Sequence, residues 1–360
     1  MLPAALVPAP DAIPVASVWF EVLLLVTFLA HLLLMNVIVG GAIISFARAF
    51  TPSPHTAPPT KALGKQLPTA TALTVNFGVA PLLFLQVLYG QFIYSSSVVI
   101  AWWWLAVIGL VMAAYYAFYI YTLNYDRLEG YRLFVMAAAM GMLLLTGFIF
   151  VNNMTLMLRP DRWMAYFDHP GGTLLNLGEP TLIPRYLHFM LGAVAVGGLY
   201  LAFMQQRKKN KGLAGPEADT AVRSGMRWFT LATIANTLVG FWFFASLPRE
   251  AMLALMGGSS VATVVLILGV VGTGAALYTG SRRMIVPAAA STLFTLITMV
   301  GLRDIVRRIY LAPYFSTADL TVTGEYGSMT MFLISLVLGL GLVFYMLTLA
   351  ARTDGGTKEG

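Results

Sequence analysis

The chain contains no cysteine. That absence excludes a disulfide framework, a thiolate metal site and a cysteine-bound iron–sulfur cluster. Charge is equally scarce. Asp, Glu, Lys and Arg make up 10% of the 360 residues, where soluble domains carry roughly 25%. Only four histidines occur. Apolar residues take the vacated share, at 59% with a mean hydropathy of +0.79. No water-facing core consumes so much apolar sequence, so the solvent is lipid. A disordered chain and a nucleic-acid binder are excluded on the same ground. In a membrane chain the formal net charge of +7 reports topology rather than an acidic partner.

Apolar runs of about 20 residues, long enough to cross the hydrocarbon core as helices, fall at 16–47, 69–93, 98–123, 133–157, 184–206, 226–248, 259–280, 284–303 and 328–350. The first is long enough to tilt or to project from the bilayer. None alternates as barrel strands do. The expectation is an all-α polytopic membrane bundle of about nine transmembrane helices, one integral domain over 1–360. With the N-terminus outside, 15 of the 22 Lys and Arg lie on inner segments and 7 on outer ones, which puts the C-terminus inside. A bacterial-type inner (plasma) membrane protein of multi-pass type follows. The stretch before Ala16 carries prolines but no positive charge, so no cleaved signal is read there. Three connections stand out: a Pro-rich inner loop at 50–67, a basic cytoplasmic loop at 207–227, and an outer segment at 158–183. The last mixes Trp163, Tyr166 and Phe167 with Arg159, Asp161 and Arg162, as an interfacial helix does.

Ionisable groups inside spans are functional candidates by default. His55 and His169 fall in loops and read as solvated. His31 and His188 fall in the first and fifth spans, where lipid offers an imidazole neither donor nor acceptor. Each therefore bonds a neighbouring helix or ligates a metal. Axial ligation of b-type haem, one or two groups, is the functional reading, with His/His or His/Met pairs. Counted from the outer ends of their spans, His31 and His188 differ in depth by roughly 15 Å at 1.5 Å per residue. Two ligands of one iron cannot be so separated. Either two sites exist, or one histidine is not a ligand, or the first span starts above the membrane. Met256 and Met299, near outer span ends and each close to a glycine, are candidate sixth ligands, although most methionines are core filler. Glu21 lies near the outer entrance, where proton relay, quinone contact and a snorkelling carboxylate are all open. The buried amides Asn36, Asn76, Gln86, Gln91, Asn152, Asn153 and Asn236 read as interhelical glue. In GLRDIVRRIYL, Arg303 pairs in register with Arg307, and Asp304 with Arg308. That cluster is either a solvated helix end or a cradle for haem propionates or an acidic redox partner.

Three segments resemble subunit I of the cytochrome bd-type quinol oxidases: HLLLMNVIVG at 31–40, NFGVAPLLFLQVLYG at 76–90 and LLNLGEPTLIPRYLHF at 174–189. The resemblance implies a nine-helix bundle, with His31 at a high-spin site and His188 on a low-spin haem. It covers spans one to five, and the rest by topology. Gln86 stands where the family has a glutamate. The GRQPW-like signature is missing, and the connection 249–258 is too short for the family's quinol loop. The implied function is a membrane electron-transfer subunit, with oxygen chemistry lost or delegated. It would exchange electrons between quinone and a redox partner, beside a second membrane subunit or an outer cytochrome. A haem-free scaffold subunit of a respiratory complex and a small-solute or ion transporter are the alternatives.

Overall fold

The computed structural model describes residues 6–50, 61, 63–168, 170–213, 215 and 217–356. His55 and His169 lie outside the described residues. Among the described residues, nine helices are long and apolar enough to cross a membrane. They are α1 (Ser17–Ala49), α2 (Leu67–Val99), α3 (Ala101–Leu123), α4 (Arg132–Met157) and α5 (Leu182–Asn210), then α6 (Ala218–Ala245), α7 (Ser260–Ser281), α8 (Ile285–Leu311) and α9 (Tyr326–Gly356). The all-α membrane bundle expected from composition is the fold.

Several helices outrun their apolar stretch, because the hydrogen-bond ladder continues once a helix has left the hydrocarbon. The stretch 207–227 shows this most clearly. Most of its basic residues ride on the end of α5 and the start of α6, which stop at Asn210 and resume at Ala218. The segment 158–183 holds a 3₁₀ turn at Pro160–Arg162 and one helical turn at Ala165–Asp168. Trp163 is buried there, its indole N–H donating to the Leu156 carbonyl at 3.0 Å. The N-terminal stretch pairs with the connection between α8 and α9, where Ile13 N–H donates to Thr321 O and Thr323 N–H to Ile13 O. That pairing lies at the end of the bundle where α1 begins, called proximal below.

The centre is built on backbone contact. α1 meets α5 at Gly40, where an added Cβ would overlap the Ala193 carbonyl and come within 3.0 Å of Gly197 Cα. α5 meets α6 at Gly198 and Gly225, each of which would put a Cβ within 2.7 Å of the other's carbonyl oxygen. Apolar side chains gain little by leaving lipid for another apolar surface, so close packing of small residues supplies much of the attraction here. The α7–α8 hairpin is fastened to α6 at both ends. Gly280 lies against Phe229 and Thr230 at one end, and Leu247, Ala251, Leu255 and Val306 cluster at the other. Between them, Asn236, Thr237 and Gly240 of α6 are only half-buried.

Gly40→Val and Gly225→Val are expected to lower stability by about 2 kcal/mol or more, since neighbouring backbone cannot yield to an inserted side chain. Gly274→Ala, with nothing within 4 Å, should leave it unchanged. Thermal unfolding and monodispersity in detergent measure the difference.

Candidate functional site

The depth of the two intramembrane histidines follows from the α1–α5 contact. Both helices run from the proximal end, and Gly40 sits level with Ala193 to Gly197. Nine residues back from Gly40, His31 is therefore level with residues 184–188 of α5. A second contact gives the same register. The Arg303 guanidinium lies 4.3 Å from the Phe28 ring of α1 and within electrostatic reach of Arg185 on α5. The 15 Å offset expected from span starts is thus corrected: α1 begins well before α5, so its first turns overshoot the level at which α5 starts.

Level is not convergence. Nine residues are about two and a half helical turns, which places His31 on the face of α1 opposite Gly40. His188, five residues before Ala193 and nine before Gly197, lies between about 140° and 180° from the face of α5 that meets α1. The two rings therefore point away from each other across the α1–α5 pair, and they cannot hold one iron between them. The neighbours agree. His31 lies against α2, its Nδ1 3.0 Å from the Thr74 carbonyl and its ring filling the notch at Gly78. His188 lies against α6, where a Cβ on Gly240 would be 3.3 Å from its Cε1.

These surroundings differ chemically. An Nδ1–H of His31 donating to the Thr74 carbonyl leaves Nε2 as the basic nitrogen, the arrangement common to histidine metal ligands. His188 has its Nδ1 shielded and without a hydrogen-bond partner among the described residues. The Asn236 backbone carbonyl faces it from outside good geometry, and the Asn236 Oδ1 is shielded and unpartnered too. Gly192, one turn on from His188, leaves room for that amide. One turn the other way on the same face of α5 stands Arg185, buried, its Nε shielded and unpartnered, its guanidinium 5.1 Å from the Phe243 ring. The same ring lies 6.3 Å from His188. Arg185 and Arg303 make no ion pair among the described residues, although Glu179 lies within electrostatic reach of Arg185.

Beside them the remaining charges are paired, although the Arg307 Nε is shielded and without a hydrogen-bond partner among the described residues. Asp304 takes both Arg307 and Arg308, the latter at 2.8 Å, and Arg308 also reaches Glu21 at 3.0 Å. Thr317 donates to Glu21 at 2.7 Å. Asp304 and Arg307 are buried, so this is no solvated helix end. Glu21 is a tie between α1 and α8 rather than a free carboxylate. Arg307 also covers the Tyr89 ring at 4.6 Å. Towards the surface, Arg159 bridges Asp161 and the buried Glu179, and its hydrogen bonds hold the Asp161 carboxyl below the ordinary range.

The methionines stand apart from this group. Met256 is 69% exposed, in the irregular turn before Gly257. The Met299 methyl fills the notch at Gly269 of α7. The amides Asn152 and Asn153 do act as glue, bonding Asn176 and Ser97. Arg185, at the very start of the fifth span, is the buried cation near His188 that sequence reasoning passed over. Its spacing of three from His188 was the available clue.

No family model matches the chain, and no curated protein is similar to it in sequence. Among solved structures its fold is similar to that of a chain in the bd oxidase of Geobacillus thermodenitrificans, with a TM-score of 0.71. The likeness covers 97% of this chain and 98% of that one at 13% identity. The resemblance read from the first five spans is thus a resemblance of fold along the whole chain.

Asp304→Asn strands the buried Arg307, while Arg308 keeps Glu21, and is expected to cost about 3 kcal/mol, the usual effect of breaking a buried pair. Asp126→Asn, which removes the exposed bond to Lys61, should leave the detergent melting midpoint in place.

Proposed function

We propose that the protein is a membrane-embedded electron-transfer subunit that binds b-type haem at His188 and passes electrons between quinone and a redox partner. One observation carries the reading. A shielded, unpartnered imidazole nitrogen lies one turn below an unpaired buried arginine, with a second unpaired arginine within electrostatic reach. Leaving such groups unsatisfied costs free energy that a bound group bearing a metal and carboxylates would recover.

The residues present fit that group. His188 would supply an axial nitrogen from the face of α5 that meets α6. Arg185 and Arg303 would hold the propionates, since guanidinium takes carboxylate in a bidentate pair. Asn236 and Gly240 of α6, against which His188 lies, are only half-buried. When bound, haem supplies one-electron transfer. The chain's own contribution is to position the imidazole, keep water from it, and favour the reduced state with nearby cations. His31, on the far side of α1, belongs to a second and separate site, where the Thr74 carbonyl fixes its tautomer. The fold shared with a bd oxidase chain supports a respiratory membrane subunit, with a second membrane chain or an outer cytochrome as partner, in a bacterial-type inner membrane. Gln86 in the place of a family glutamate supports electron transfer rather than oxygen reduction.

Purified protein, expressed with haem supplied, is expected to show a low-spin b-type band that His188→Ala abolishes. Arg185→Gln should keep the band and lower its midpoint potential by on the order of 50 mV, the effect of removing one nearby cation. A colourless preparation, or a co-purifying cytochrome whose spectrum ignores His188→Ala, would overturn the assignment; the latter would favour the haem-free scaffold.

A further inference from the structure

At the distal end, away from both histidines, a cavity of about 470 Å³ opens between the start of α6 and the end of α7. Arg223, Arg227 and Arg283 line it, with the hydroxyls of Ser224 and Ser281 and the apolar side chain of Leu231. No carboxylate is among its lining residues. None of the three arginines makes an ion pair among the described residues; Asp219, in the first turn of α6, is held by Lys209 at 2.7 Å and lies within electrostatic reach of Arg223 alone of the three.

A fourth cation stands behind the wall. Arg48 is buried, and its Nη2 donates to Ser224 Oγ at 2.7 Å. Its Nη1 is shielded and has no partner. Because Ser224 Oγ accepts from Arg48, its own O–H is free to donate elsewhere. Arg283 adds a backbone observation: its φ of +56° lies in the left-handed region, an uphill conformation for a side chain of this size. Arg223, Arg227 and Arg283 are exposed at the rim of the cavity, while the buried Arg48 guanidinium keeps one edge unpaired, which is costly. The missing component is an anion.

The cavity also has an apolar side. Leu231, Ile234 and Leu238 are 55%, 45% and 67% exposed, and their spacing sets them on one outward stripe of α6. A cationic pocket with free hydroxyl donors, at a helix end and continuous with a lipid-facing stripe, matches an amphiphile with a phosphate head. We infer that this cavity binds the phosphodiester of an anionic phospholipid, with an acyl chain along Leu231, Ile234 and Leu238. The inference is independent of haem at the proximal end.

Purified full-length protein in detergent would be titrated with phosphatidylglycerol, phosphatidylcholine and inorganic phosphate, and read by native mass spectrometry and thermal shift. Phosphatidylglycerol is expected to bind and stabilise, phosphatidylcholine to do neither, and inorganic phosphate to act far more weakly. Arg223→Gln with Arg227→Gln should weaken phosphatidylglycerol about 25-fold, at about fivefold per cation. Arg249→Gln, at the proximal end, should not. Equal binding of the two lipids, or an unchanged double variant, overturns the proposal. Inorganic phosphate as effective as phosphatidylglycerol also overturns it, leaving an anion site without a lipid. If the double variant does not fold, a diazirine-bearing phosphatidylglycerol on the unmodified protein decides. Labelling within residues 220–238 or 280–283 supports the site, and labelling confined to other residues refutes it.

Discussion

Gly40 lies so close to Ala193 and Gly197 that no side chain fits between the backbones of α1 and α5. In lipid, where burial of apolar surface gives helices little reason to associate, such steric fit sets the register of a bundle. Here the register decides more than stability. It brings His31 level with the first turns of α5, and it turns both imidazoles outward from the pair. His31 meets the Thr74 carbonyl of α2 on one side, and His188 meets α6 on the other. Whatever each ring does, it does in a separate environment.

Electrostatics at the proximal end sort into two groups with different roles. Asp304 neutralises Arg307 and Arg308, and Glu21 joins them from α1. These pairs bind α8 to the rest of the bundle. Arg185 and Arg303 are left over, held on aromatic faces at Phe243 and Phe28. Cation–π contact lessens the penalty of burying them without cancelling it. That residue of positive charge, next to an imidazole nitrogen with no hydrogen-bond partner among the described residues, sets this corner apart from the ion-pair network beside it. The distal arginines show the same imbalance, at a place where lipid headgroups are the available anions.

Most of the architecture was legible in the sequence because hydrocarbon demands long apolar helices and little else. The nine spans stand where runs of apolar residues put them, with ends displaced by a few residues or more. Basic 207–227 reads as a loop by charge, yet Arg207 to Asn210 extend α5 and Ala218 onwards begin α6. Charge marks where a helix leaves the membrane, not where it stops. The histidines were legible as candidates for the same reason that intramembrane polarity always is. Their relation to each other was not, since depth counted from span starts assumes that every helix begins in one plane. The contact at Gly40 shows that α1 does not. Nor does composition distinguish Asp304, buried between two arginines, from a solvated helix end; only tertiary placement does. Met256 and Met299 looked level with His188, but one is exposed beside Gly257 and the other is absorbed by packing at Gly269.

The divergence of the two rings is the claim on which the rest turns, and a density map of the detergent-extracted protein at side-chain resolution tests it most directly. His31 is expected on the α2 side and His188 on the α6 side, with any iron-bearing density at His188 bounded by Arg185 and Arg303. Both imidazoles meeting a single central density between α1 and α5 would contradict it.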